Sequence, residues 1–324
     1  GSTELATILA TGQVWLRVPE TVRIDLELGR QESRRPEFDP LTSEPGTGLP
    51  PRTTIRDLTM RILGDLRTEF ALYRAIEYGG SGAAALSLDQ RLILGNQAIE
   101  MSAKNAIVVP DATLAAELGA APDAWPGPDD DAGYCARHRY DLSQLVPQVA
   151  LPPSPDNTAA VTDVGDIRPD MAWLGSCAGG RHSDLRAAAA MVRGQRLRIP
   201  FLVTPATQAI YQACAADGTL AILAGAGATV LPPGCGACAG IHAGVQGEGD
   251  RIIATATRNF PGRMGSRQSE VYLASPYTVA AAAVTGQLVD PRTVALAAPA
   301  GPIGPAAPTG SADPSRVCDA EVHS

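Results

Sequence analysis

The chain has 324 residues, 45% of them hydrophobic and 19% charged, with a formal net charge of −8. That length suits more than one compact α/β unit, and that balance belongs to a folded chain rather than a disordered one. The acidity argues against a nucleic-acid or anionic-membrane partner, and no apolar run reaches the roughly 20 residues that span a bilayer.

From Glu4 to Ala10 the apolar spacing predicts a helix that stops at Gly12. After Pro19, Val22, Ile24, Leu26 and Leu28 alternate with polar residues, the pattern of a half-buried strand. Residues 30 to 53 lose periodicity and fill with Arg, Glu, Pro and Gly, as a solvated insertion does. A helix is predicted from Thr54 to Gly64, and a short strand over 73–78 ends in Gly79-Gly80. Residues 87–103 read as a helix with Leu88, Leu92, Ile93, Ala98 and Ile99 on one face, and 106–109 as a buried strand. Strands alternating with helices place the chain in the α/β class.

Residues 121–133 are rich in Pro, Asp and Gly and read as an acidic loop. The Pro-rich, weakly periodic stretch 145–165 marks a domain boundary. A second α/β unit then opens with a strand at Met171–Leu174. It continues through a helix (184–194), a strand (198–204), a helix (207–217), a helical segment ending near Gly225 and a strand at 228–231. Beyond residue 293 the Ala/Pro/Gly-rich tail reads as disordered.

The six cysteines are Cys135, Cys177, Cys214, Cys235, Cys238 and Cys318. Without a secretion signal, a close cysteine pair points to a metal or redox site rather than a disulfide, and a reducing, cytoplasmic compartment is expected. Cys177 follows one apolar strand, and Gly234-Cys235-Gly236-Ala237-Cys238 follows another. In α/β sheets ligands collect in such loops at the carboxyl ends of strands. Three thiolates suit zinc or iron–sulfur chemistry and leave one metal position open to substrate. A lone CxxC fits zinc binding, a redox pair or chance as well, and spacing leaves these open. Cys135, Cys214 and Cys318 read as incidental, Cys214 packing inside a helix. Arg258 and Arg263 flank a Pro-Gly loop and could present paired guanidinium forks to carboxylates, or simply solvate a surface. Glu77, at a strand end before two glycines, is either a catalytic carboxylate or an ordinary loop residue.

Trp173-Leu174-Gly175-Ser176-Cys177 with Gly180-Arg181, Pro232-Pro233-Gly234-Cys235-Gly236-Ala237-Cys238, and Arg258-Asn259-Phe260-Pro261-Gly262-Arg263-Met264-Gly265-Ser266 resemble, in order, the motifs of the aconitase family. Glu270-Val271-Tyr272-Leu273-Ala274-Ser275-Pro276, Thr285-Gly286 and Asp290-Pro291-Arg292 resemble its 3-isopropylmalate dehydratase branch. Similarity extends over about residues 1 to 293. The resemblance implies three-layer α/β/α domains: the end of a first at 1–30, a second at 31–165 with a loop insertion near 31–53, and a third at 166–293 carrying the cysteines. Residues 294–324 would be a tail.

It further implies that Cys177, Cys235 and Cys238 hold one 4Fe–4S cluster per subunit, with Glu77 handling the leaving water and Arg258 and Arg263 holding substrate carboxylates. The implied reaction converts 2-isopropylmalate to 3-isopropylmalate in leucine biosynthesis. Homocitrate, citrate or a methyl-substituted malate are alternative substrates among small di- and tricarboxylic hydroxy acids. A non-catalytic, RNA-binding relative is a further alternative, against which the acidic charge counts. The implied partner is a small swivelling-domain subunit that carries the serine base. The family's Asp-His pair and second catalytic His lie ahead of where this chain begins, and His182 and His242 match neither. Two departures stand out: Ala178-Gly179 where the family has Thr-Asn, and Thr257 where it has Asn.

Overall fold

The structure is a computed structural model that describes residues 2–29, 48–121 and 123–296. Most of the expected insertion, the tail beyond 296 and Cys318 lie outside the described residues. Helix α1 (Ser2–Thr11) comes first and is exposed from Thr3 onward. Strand β1 (Thr21–Glu27) follows. Its alternation buries Val22, Ile24 and Leu26 and turns Arg23, Asp25 and Glu27 to the opposite face. Helix α2 (Ile55–Leu66) begins at a capping box in which Thr54 accepts from the Arg56 N–H and Asp57 accepts from the Thr54 N–H at 2.8 Å.

Strand β2 (Ala75–Gly79), helices α3 (Gly80–Ala84) and α4 (Leu88–Gln97), strand β3 (Asn105–Val108), helix α5 (Ala112–Glu117) and strand β4 (Ala136–Asp141) complete the first half. Its four strands run parallel in the order β3-β2-β1-β4. Gly80 lets β2 turn sharply over β1. Its φ is +88°, and a Cβ there would stand 2.4 Å from the Leu26 carbonyl oxygen.

The second half contributes β5 (Gln148–Ala150), β6 (Thr158–Ala160), β7 (Met171–Gly175), α6 (His182–Val192), β8 (Phe201–Thr204), α7 (Gln208–Ala216), α8 (Thr219–Ala226), β9 (Thr229–Val230), β10 (Arg251–Ala254), β11 (Glu270–Ala274) and α9 (Pro276–Thr285). The strand order is β6-β5-β11-β10-β7-β8-β9, parallel except where β5 pairs with β11 and β6. Side chains sort by the two-residue period of a strand. Ala172, Leu174, Ile253, Tyr272 and Ala274 pack with α6 and α9. Trp173, Ile252, Ala254, Val271 and Leu273 face the other way, under Met60 of α2, Ala237 and Met264. With aromatics at only 4%, the helical layer packs through the alanine runs Ala187–Ala190 and Ala280–Ala283, where each buried methyl contributes about 0.8 kcal/mol. One face of this sheet is therefore covered by α6 and α9, and the other by α2 and by the loops that carry Ala237 and Met264.

The structure departs from expectation in four places. Strand β1 hydrogen-bonds with β2 and β4, so the division at residue 30 cuts through one sheet. Residues 148–160, inside the expected boundary, supply two strands to the larger sheet. The helix over 87–103 is α4 followed by a 3-10 turn, Ala98–Met101. Ile93, Leu94, Ala98 and Met101 take its core side while Leu92 and Ile99 are exposed. Strand β3 is an edge, with Ile107 49% exposed. A four-residue apolar run carries no periodicity to separate an edge strand from a central one.

Two carboxyls are buried where the halves meet. Burial pushes Asp57 up to about 6 and Asp184 up to about 7, against backbone N–H groups that favour the charged forms. Between the unfolded value, 3.8, and these folded values the native chain keeps protons that the unfolded chain has released. Stability contributed by these groups is therefore lost as pH rises through about 4 to 7. Asp184→Asn keeps an oxygen for the Arg181 N–H, which reaches it at 3.0 Å. It is expected to gain on the order of 2 kcal/mol over the native chain at pH 8 and little at pH 4, read by urea unfolding. Parallel pH profiles for the two proteins would contradict this account.

Candidate functional site

Cys177 leaves the carboxyl end of β7 on a loop held from beneath. Thr255, fully buried just after β10, accepts the Gly175 N–H at 2.8 Å and donates to the carbonyls of Gly175 (3.1 Å) and Gly179 (3.3 Å). A Cβ at Gly179 would lie 2.3 Å from the Thr255 side chain, so in this chain the floor of the loop admits no side chain at 179. Ser176, almost fully buried, has φ +72° and an unpartnered Oγ. A non-glycine residue held in the left-handed region marks a constrained position of the kind concentrated at functional sites.

The second thiol loop sits on a tryptophan. The 3-10 turn Gly236–Ala239 packs over Trp173, whose Nε1 donates to Thr204 Oγ1 at 3.1 Å. Gly236, at φ +51°, is so close that a Cβ would meet Thr204 Oγ1 at 2.5 Å and the indole ring at 2.9 Å. The Cys238 N–H closes the turn onto the Cys235 carbonyl at 3.1 Å. Cys177 and Cys235 are exposed and Cys238 is half-buried. The three lie within one another's fields: burial pushes the Cys177 thiol up, and Cys238 and Cys235 push it further.

The arginine loop closes one side. Arg263 Nη2 lies 3.5 Å from Cys238 Sγ, while its Nε is buried without a partner. Arg258 Nε donates to Glu100 at 2.7 Å, leaving its terminal nitrogens for another group. Glu100 is 7% exposed; burial raises its pKa, against the pull of Arg258, Arg263 and Arg56. The same segment braces the first thiol loop. Asn96 Nδ2 donates to the Cys177 carbonyl at 3.2 Å, and Asp89 pairs with Arg181 Nη1 at 3.2 Å. Thus the thiols hang from the larger sheet and are steadied by α4 and its following turn from the smaller one.

The cysteines meet Arg263 directly and Arg258 through its Glu100 partner, whereas the described partners of Glu77 are Arg23 and Tyr134. Glu77 stands on the polar face of the four-stranded sheet, opposite Arg23 in register. Its carboxylate accepts from Arg23 and, at 2.6 Å, from the Tyr134 hydroxyl. None of its described interactions involves the thiol loops. His182 pairs with Asp217 at 2.7 Å, and His242 is exposed. Cys214 is buried in α7, its thiol pushed up to about 12 by burial and then by Asp217. Cys135 lies at the surface, its thiol near the Thr21 carbonyl.

Among the described residues no three His, Cys, Asp or Glu side chains are grouped tightly enough to hold a single metal ion. A four-iron cube holds its cysteine sulfurs farther apart than one ion does, so three neighbouring but unconverged thiols fit the larger group in donor type. Unpartnered Ser176 Oγ, Arg263 Nε and Arg56 Nη1, all buried, fit a polar group still to be accommodated. Sequence reasoning missed Arg56, Asp89, Asn96 and Glu100. The one signal available was charge in an apolar setting, as at Ile99-Glu100-Met101 and Ile55-Arg56-Asp57-Leu58.

Comparison with known proteins gives the setting. The profile of the aconitase family (aconitate hydratase) matches residues 46–167 and 162–286. The chain is 42% identical over 297 residues to the 3-isopropylmalate dehydratase large subunit 1 of Methanopyrus kandleri, a match covering 90% of this chain and 66% of that protein. It is 38% identical to the 3-isopropylmalate dehydratase large subunit of Heliobacterium modesticaldum, covering 91% and 67%. To the probable methanogen homoaconitase large subunit of Methanosarcina mazei it is 37% identical, covering 91% and 71%. The chain spans about two thirds of the length of the first two, 66% and 67%.

Proposed function

This chain belongs to the aconitase family, and we propose that it is part of the cluster-bearing large subunit of a hydro-lyase that interconverts 2-isopropylmalate and 3-isopropylmalate in leucine biosynthesis. The observation that carries this reading is the meeting of three thiols with Arg263, beside the Glu100 that holds Arg258, over one sheet face. Cys177, Cys235 and Cys238 would hold one 4Fe–4S cluster, which when bound supplies a Lewis-acidic iron for the substrate hydroxyl.

The chain's own residues would hold the substrate. Arg258, fixed at Nε by Glu100, turns its remaining N–H groups to a substrate carboxylate in the paired geometry that a guanidinium favours. Arg263, beside Cys238, adds positive charge where a second carboxylate would lie. Glu77 enters through its place in the family motif, as the group that handles the leaving water. To do so its carboxylate must exchange the Tyr134 hydroxyl for that water. The serine base would come from a small swivelling-domain subunit, with the assembly working in the cytoplasm. A homocitrate-type substrate is the second reading, favoured by the methanogen homoaconitase relative.

The test uses the whole encoded protein, its cluster rebuilt without oxygen, mixed with the small subunit. 2-Isopropylmalate, homocitrate, citrate and a methyl-substituted malate are offered separately, and the absorbance of the unsaturated intermediate formed by loss of water is followed. Selective turnover of 2-isopropylmalate is expected. Selective turnover of homocitrate would move the protein to the second reading. No turnover by a loaded, partnered protein would leave a non-catalytic relative.

A further inference from the structure

One guanidinium at the site has no place in the motifs. Arg56 lies in the first turn of α2 and is 1% exposed. The helix belongs to the first half of the chain, yet this side chain crosses into the second. Its Nε donates to the Ala274 carbonyl at 3.3 Å and its Nη2 to the Ala256 carbonyl. Ala274 ends β11, and Ala256 lies two residues before Arg258, at the root of the arginine loop. The third nitrogen, Nη1, is buried without a partner.

Burying a guanidinium is unfavourable unless other charges balance it. The acidic groups around Arg56 are Asp184, Asp57, Cys238 and Cys177, together with Glu100 from the turn after α4. Burial drives Asp57 and Asp184 toward their neutral forms, which weakens them as counterions. Carbonyl bonds account for two nitrogens and leave both the charge and the third nitrogen incompletely answered. Glu100 is engaged by Arg258, and Cys177 and Cys238 also face Arg56; an iron–sulfur cluster on three thiolates would be anionic there.

We infer that Arg56 is a positioning residue for the cluster site: it anchors the root of the arginine loop through Ala256, and its buried positive charge balances the anionic group carried by Cys177 and Cys238. This rests on the reading that the thiols hold an iron–sulfur cluster. Groups that surround such a cluster set its lifetime and its reduction potential.

The experiment compares the whole protein with Arg56→Met, Arg56→Gln and Arg56→Lys after anaerobic reconstitution. It measures iron and sulfide per chain, the rate of cluster loss to a chelator, the reduction potential, and the unfolding midpoint without cluster. Removing the charge is expected to speed cluster loss about 10-fold and to shift the potential to more negative values, with Lys restoring most of both. Gln keeps an amide donor for a carbonyl and serves as the neutral variant if Met does not fold. A folded neutral variant with the native lifetime and potential would overturn the inference, even if its unfolding midpoint fell. A native chain that takes up no iron and sulfide would sink the cluster reading itself, and this inference with it.

Discussion

Alanine at Cys177, Cys235 or Cys238 is expected to abolish stable cluster binding, taking a reconstituted chain from about four irons and four sulfides to a small residue of loosely held metal. On the proposed reading each substitution would remove one of three protein ligands, and two thiolates would not hold a cube that already lacks a fourth. Cys177 and Cys235 are exposed, so their replacement opens no cavity and leaves the fold as a fair control. Cys135→Ala and Cys214→Ala separate ligand loss from thiol loss in general. Cys135 is exposed away from the site and is expected to be silent. Cys214 is buried in the helical layer, so its replacement lowers stability while the iron content stays. Iron content and the visible spectrum decide the matter. If any of the three alanine variants keeps a full complement, that residue is not a ligand.

The second large effect is expected at Trp173. Its indole is fully buried on the face covered by α2 and the loops, packed against the turn that carries Cys235 and Cys238 and bonded to Thr204. Trp173→Ala removes the largest side chain of that core, and such truncations cost about 3–5 kcal/mol. A further loss of about 1 kcal/mol comes from the hydrogen bond to the buried Thr204 hydroxyl. Against a usual total of about 5–15 kcal/mol, the variant should unfold at a much lower guanidinium concentration. Phe201→Ala is the control. It is equally buried but faces the helical layer, so it should lower stability comparably without undoing the floor of the cysteine turn. Under conditions where both variants are folded, only Trp173→Ala is expected to lose the cluster rapidly. Equal retention in the two would show that the indole is core and nothing more.

Part of the fold was legible because some elements carry their own signals, although β10, β11 and α9 were not read. The alternation around Val22, Ile24 and Leu26, the apolar strand before Cys177 and the strand before the CxxC all lie close to where they were expected. Strand β4 was missed because Arg137, His138 and Arg139 give it a polar sequence; it faces solvent on one side and is an edge. Strands β5 and β6 are three residues each; β5 joins the sheet through β11, more than a hundred residues away, and β6 joins it through β5. The site divides in the same way. The thiols and the arginine loop are marked by local motifs, whereas Arg56, Asn96 and Glu100 become meaningful only when the chain brings them to Ala256, Cys177 and Arg258. No periodicity encodes such contacts, because each depends on how two sheets are set against one another.

The seam on which α4 and α2 meet the thiol and arginine loops has a consequence for inheritance. The cysteine motifs can be preserved letter for letter while the residues that steady them drift, since Arg56, Asp89, Asn96 and Glu100 lie before β5 and their partners after it. A recombination event that replaced everything before β5 with the corresponding part of a relative would leave each thiol in place and substitute foreign supports beneath the loops. Lineages of this protein should therefore exchange whole coding regions more readily than halves, and changes at the four supporting positions should travel together with changes in the loops they hold.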